Sequence, residues 1–143
     1  MRLHVDPPRS RAAAIAFDLL NPLPFGFFVA ALIFDIVYAN SADVLWLKSA
    51  AWLITFGLLL AILPRFINLA HVWIASKRDV PSAEKWAFWL YLLGIGAAIV
   101  NAFVHSRDAY AAIPEGVWLS ALTVLLIVAA KVVLSVQQLS AGN

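Results

Sequence analysis

The stretch VLWLKSAAWLITFGLLLAILPRFINLAHVWIA, residues 44–75, decides the fold. From residue 44 to residue 63 its only charge is Lys48. A helix needs ~20 mostly apolar residues to cross a bilayer. Read as one helix, the whole stretch is ~45 Å long, against ~30 Å of hydrocarbon. It therefore tilts, or its last turns leave the membrane. Pro64 is expected to bend it. After Pro64 the composition changes: Arg65, Asn68 and His71 follow one another at near-helical spacing.

Three further apolar runs flank this one. The first is Phe25 to Ala39, extended back to Leu23 and ended by the turn-forming residues NSAD. The third spans about 83–105 and the fourth about 116–137. The reading is an all-α, four-helix transmembrane bundle in a single domain of 143 residues, with spans near 23–40, 44–75, 83–105 and 116–137. Composition agrees: 64% of residues are hydrophobic and 13% charged, and mean hydropathy is +0.89. A soluble domain is about half apolar and about a quarter charged, and a small globule cannot hide the excess. Before the first span, AAAIAFDLLNPLP (residues 12–24) reads as a short interfacial helix, separated from the span by Pro22 and Pro24. No cleavable signal peptide is evident, so the first span is expected to remain. The final QQLSAGN reads as a polar tail.

Charge sets the orientation. Arg2, Arg9 and Arg11 precede the first span, and Lys77, Arg78 and Lys85 surround the second loop. The first and third loops hold only Lys48 and Arg107. Basic residues stay on the cytoplasmic side, so both termini are expected inside a bacterial inner membrane. The net charge of +2 is spread over segment ends and gives no nucleic-acid footprint. The chain has no cysteine, which excludes disulfides, thiolate metal sites, iron–sulfur ligation and covalent c-type haem. The six tryptophans lie near segment ends, as an interfacial belt requires.

Two polar clusters stand out. Toward the outer side lie Asp35 and Tyr38 on the first span, with Asn101 and His105 on the third, where Gly94 and Ala98 continue the same face. Such a cluster could hold a proton, an ion or a quinone. The plainer reading is helix glue, with Asp35 satisfied by Asn101, Lys48 or Arg107. Toward the inner side lie Arg65, Asn68 and His71, Lys131 on the fourth span, and Asp18 ahead of the first. Ser120, Thr123, Ile127 and Lys131 share a face, which could turn Lys131 into the bundle; otherwise it snorkels to the interface. Arg65 is expected to find a carboxylate, Asp18 first and Glu84 second. Haem b is not expected within one chain: His4 is in the tail, and His71 and His105 belong to opposite sides. No metal-ligand spacing, nucleophile elbow or phosphate loop is present.

The segments PFGFFVAALIFDIVYANSADVLWLKSAAWLITFGLLLAILPRFINL and NAFVHSRDAYAAIPEGVWLSALTVLLIVAAK resemble the DUF2231 family of bacterial four-helix membrane proteins. The markers are Phe34-Asp35, Gly57 and the run from Arg107 to Leu122. Members of that family are sometimes joined to Rieske or cytochrome modules, which implies work near electron-transfer chains. Its His-Pro-x-His-Pro motif would fall on Ala14 and Phe17 here. Its Gly-x-x-Asp pattern would fall on Arg65 and Asn68, and its third-helix His and Asn near Trp86 and Leu90. The family's ligating groups are thus largely absent. The expectation is a non-catalytic membrane protein without cofactor or metal. It would pack against partner membrane proteins or its own copies in the lipid bilayer, as an accessory subunit of an electron-transfer or photosynthetic assembly. A redox, quinone-linked or haem-binding protein is one alternative, and a proton-coupled or solute carrier using Asp35 is another.

Overall fold

A computed structural model describes residues 15, 19–75, 82–107 and 109–141, with side chains for all of these except 63–75, 109 and 110. Four long helices account for nearly all of them: α1 Leu23–Ser41, α2 Val44–Ala75, α3 Ser82–His105 and α4 Glu115–Ala141. A single 3-10 turn, Ala109–Ala112, lies between α3 and α4. The described residues contain no strand. Each helix contains a stretch long and apolar enough to cross a membrane.

Helix α1 begins with prolines at Pro22 and Pro24, where a missing N–H costs no helical bond. It stops at Ala42, whose φ of 55° is left-handed and whose N–H donates to the Tyr38 carbonyl at 2.8 Å. That closes the helix as a glycine usually does. Asp43 then caps α2, its Oδ1 accepting from the Leu45 N–H at 2.9 Å. Two residues therefore suffice to reverse the chain. Helix α2 continues through Pro64 to Ala75. Helix α4 extends further than the sequence reading allowed. Residues 137–141, expected as a polar tail, are its last turn and more. Glutamine and leucine favour helix, and Ser140 Oγ donates back to the Val136 carbonyl at 2.9 Å. Of the interfacial helix expected before α1, Ile15, Leu19 and Leu20 are helical; the rest, up to the turn at 21–22, lies outside the described residues.

Neighbouring helices run antiparallel. Phe34 of α1 meets Trp46 of α2 edge-on at 5.0 Å between centroids, while Phe28 lies against Gly57. A Cβ on Gly57 would fall 2.9 Å from Phe28 Cε1, so the two backbones approach only because residue 57 has no side chain. On the other side, Gly94 of α3 meets Ile127 of α4, and Asn101 meets Ser120. The bundle thus has a terminal end, where α1 and α3 start, and a turn end, where α1 and α3 finish.

Phe28, Ala61, Ile95, Ala98 and Ile127 form the central core. Tyr38, Leu47, Val104 and Ala112 form a second core at the turn end. Only 22–39% of each spanning segment is buried in the bundle. Trp52, Leu59, Trp86, Leu93, Phe103 and Leu125 all point outward. In water that surface would cost about 25 cal/mol per Å²; in a bilayer it costs nothing. Thr55 and Ser49 on this outward surface satisfy their hydroxyls on the carbonyls four residues back, as an apolar solvent demands.

Candidate functional site

Among the described residues one polar network is buried in the bundle, and it joins three helices. Asp35 is six residues from the end of α1. His105 is the last residue of α3. Ser120 is five residues into α4. Antiparallel packing brings all three to the same depth, near the turn end. Asp35 Oδ1 lies 2.6 Å from His105 Nε2. Ser120 Oγ donates to Asp35 Oδ2 at 2.5 Å, and Asn101 Nδ2 donates to Ser120 Oγ at 2.7 Å. The side chains of His105 and Asp35 are 1% and 3% exposed. Asn101 and Ser120 are buried as well.

The partners fix the hydrogen positions. His105 Nδ1 lies 3.0 Å from the Asn101 carbonyl oxygen. A carbonyl only accepts, so Nδ1 carries a hydrogen. Nε2 then has two options toward Asp35. Imidazolium donates to carboxylate, or neutral imidazole accepts from a carboxylic acid. In both, one proton lies between Nε2 and Oδ1, and the pair is neutral overall. Ser120 takes its direction from Asn101: receiving the amide hydrogen, it turns its own hydroxyl hydrogen to Asp35. The donors of the network converge on one carboxyl group. Pairing of this kind is what an acidic side chain inside a membrane requires, since alone it costs ~2.5–3.5 kcal/mol at a helix centre on insertion scales.

The arrangement is not that of a hydrolytic triad. There the imidazole lies between hydroxyl and carboxylate and takes the hydroxyl proton. Here the carboxyl group lies between imidazole and hydroxyl, so His105 is not placed to activate Ser120. Both nitrogens of His105 are engaged, so an axial bond to a haem iron would first have to break this network. Among the described residues no group of three His, Cys, Asp or Glu side chains could hold a metal ion.

Gly116 shapes the edge of the site. A Cβ there would stand 3.1 Å from His105 Cε1 and 3.8 Å from Asn101 Oδ1. That oxygen is buried and has no hydrogen-bond partner.

The structure brings together Asp35, Asn101 and His105 of the outer cluster. Tyr38, one turn beyond Asp35, is buried among Leu47, Val104 and Ala112. The expected partners of Asp35 need correction. Lys48 and Arg107 are exposed, and Asn101 reaches Asp35 only through Ser120. Cations on flexible stems near a membrane surface can turn to water, whereas the short imidazole is held against Asp35 by its own helix. The sequence pattern groups Ser120 with Lys131 and so leaves it out of this site. The buried stripe of α4 is in fact Ser120, Thr123, Ile127 and Ala130. Lys131 is exposed, with Nζ 5.5 Å from the centre of the Phe25 ring, a cation–π contact in place of the inward orientation considered above. The signal for Ser120 was depth: five residues into α4, it stands opposite Asn101, four residues from the end of α3. Of the inner cluster, Asp18 and the side chains of Arg65, Asn68 and His71 lie outside the described residues, and Glu84 is exposed.

Compared with protein-family models, with curated proteins and with solved structures, the chain matches none.

Proposed function

We propose that the chain is a non-catalytic, multi-pass protein of the bacterial inner membrane. It acts as an accessory or structural subunit, packing against partner membrane proteins or its own copies, with its termini in the cytoplasm. The observation that carries this reading is that the Asp35–His105 pair is satisfied within the chain. Both oxygens of Asp35 and both nitrogens of His105 are used up inside the chain. A carrier working through Asp35 would need that carboxyl group to face a path for its cargo. A side chain 3% exposed and bonded on both oxygens favours a lock between helices instead. The resemblance to the DUF2231 family belongs to the same reading: a four-helix frame kept, and ligating residues replaced at Ala14, Phe17, Arg65 and Asn68.

The test is purification from native membranes in mild detergent through a C-terminal tag. The expected result is a stoichiometric membrane partner or a discrete oligomer. A lone monomer that supports proton or solute flux in proteoliposomes, lost in Asp35→Asn, would replace this reading with the carrier.

A further inference from the structure

The lock holds a countable number of protons. His105 Nδ1 donates to a carbonyl, and Ser120 donates to Asp35 Oδ2. The 2.6 Å contact between Nε2 and Oδ1 therefore has room for one proton. Removing it leaves two lone pairs face to face and a net negative charge. Adding another makes Asp35 a carboxylic acid beside imidazolium: one of its oxygens then carries a hydrogen while both face donors, His105 and Ser120, and the pair is left with a net positive charge. Among the described residues no other charged side chain is buried beside the pair. On α2 the buried residues of the turn-end half are Leu47, Ala50 and Ile54. Asp43 and Lys48 around the start of α2, Arg107 after α3 and Glu115 on α4 are all exposed. Thr123 spends its hydroxyl on the Leu119 carbonyl.

We propose that Asp35 and His105 form a single-proton site whose ligand is the proton of the compartment at the turn end, and that the α1–α3–α4 junction is closed only while the pair holds one shared proton. The proposal rests on reading the network as a lock, but not on the existence of a partner protein. Exchange has a short route: His105 ends α3, and Ser106 and Arg107, the next two residues, are exposed.

The signs follow from charge. Acid supplies the second proton, so stability falls as pH drops through the lower limit. Alkali removes the shared proton, so stability falls as pH rises through the upper limit. Asp35→Asn separates the two. An asparagine amide can donate to Nε2 of neutral His105 while its oxygen accepts from Ser120, and it has no shared proton to lose.

The experiment is the thermal midpoint of the full-length protein in detergent from acid to alkaline pH. Wild type should show a plateau with a fall of roughly 5 °C or more on each side. Asp35→Asn should keep the acid fall and lose the alkaline one. A flat wild-type profile, or an alkaline fall that persists in Asp35→Asn, overturns the proposal. Should Asp35→Asn not fold, histidine nitrogen NMR of the wild type decides. His105 should carry its Nδ1 hydrogen and a strongly deshielded proton at Nε2 across the plateau. A His105 with a bare Nδ1 overturns the proposal. Both measurements use the isolated chain, so failure to find a partner would leave them untouched.

Discussion

Asp35 and His105, seventy residues apart in the chain, meet with Oδ1 and Nε2 2.6 Å apart inside a mostly apolar bundle. The pair is buried on every side, so its removal should be felt by the whole fold. Deleting one member leaves the other without its main partner. Asp35→Ala and His105→Ala should each cost roughly 3–5 kcal/mol, the range for halving a buried pair. Asp35→Asn preserves the shape and the bond pattern and should stay within about 1 kcal/mol. Unfolding by a denaturing detergent, read by helix content, checks the contrast. Equal losses in Asp35→Ala and Asp35→Asn would show that charge, not hydrogen-bond closure, holds the junction.

Ser120 is the bridge between α4 and the pair. Ser120→Ala leaves Asp35 Oδ2 and Asn101 Nδ2 both without their partner. An unmade hydrogen bond on a buried group costs about 1–3 kcal/mol, whereas polar contacts between membrane helices average about 0.6 kcal/mol in double-mutant cycles. The first figure should govern, because two buried groups lose their partner at once. Thr123→Val is the control. Its hydroxyl bonds only to its own helix, so its loss should be small. A Ser120→Ala loss no larger than that of Thr123→Val in the same unfolding assay would show that the bridge is idle.

The helices and three of the network's four residues were legible in the sequence for one reason: depth. A run of apolar residues measures its own distance from the membrane surface, so Asp35, Asn101 and His105 could be placed at one level before any contact was known. What depth does not give is rotation. The buried stripe of α4 advances by three or four residues, from Ser120 to Thr123, Ile127 and Ala130, and one residue of slip turns Lys131 outward. For the same reason the sequence offered Lys48 and Arg107 to Asp35 by charge, when geometry had already placed a histidine there. The extra turn of α4 beyond residue 137 was hidden by composition, since glutamine and serine are as much at home in the last turn of a helix as in a tail.

The glycines supply an internal comparison. A Cβ on Gly57 would press on Phe28 at 2.9 Å and on Phe27 at 3.2 Å, whereas a Cβ on Gly26 or Gly96 would meet nothing within 4 Å. Gly57→Ala should cost about 1–3 kcal/mol through forced movement of α1 against α2. Gly26→Ala and Gly96→Ala should be neutral, or gain up to about 1 kcal/mol from helix propensity. Gly116→Ala falls between, because its Cβ would reach His105 Cε1 at 3.1 Å. It should also disturb the His105 ring in nitrogen NMR, which Gly57→Ala should not. Identical thermal midpoints for all four variants would mean that the helices are not held at these distances.

The orientation of the bundle rests on charge alone and can be tested without disturbing the core. Eight of the ten basic residues belong to the terminal half of the chain's topology: Arg2, Arg9, Arg11, Arg65, Lys77, Arg78, Lys85 and Lys131. Lys48 and Arg107 are left for the turn end. Cytoplasmic loops retain lysine and arginine, so the terminal end should face the cytoplasm and the Asp35–His105 pair the outer compartment. A reporter active only in the cytoplasm should work when fused after Asn143, and one active only outside should work when inserted at residues 42–43. Neutralising Lys48 and Arg107 should change neither result, since it sharpens the existing asymmetry. Adding several lysines at 40–43 while neutralising Arg2, Arg9 and Arg11 should weaken or invert it. Activity of the outside-only reporter at the C-terminus of the unaltered chain would reverse the bundle, and would place the single-proton site against the cytoplasm instead.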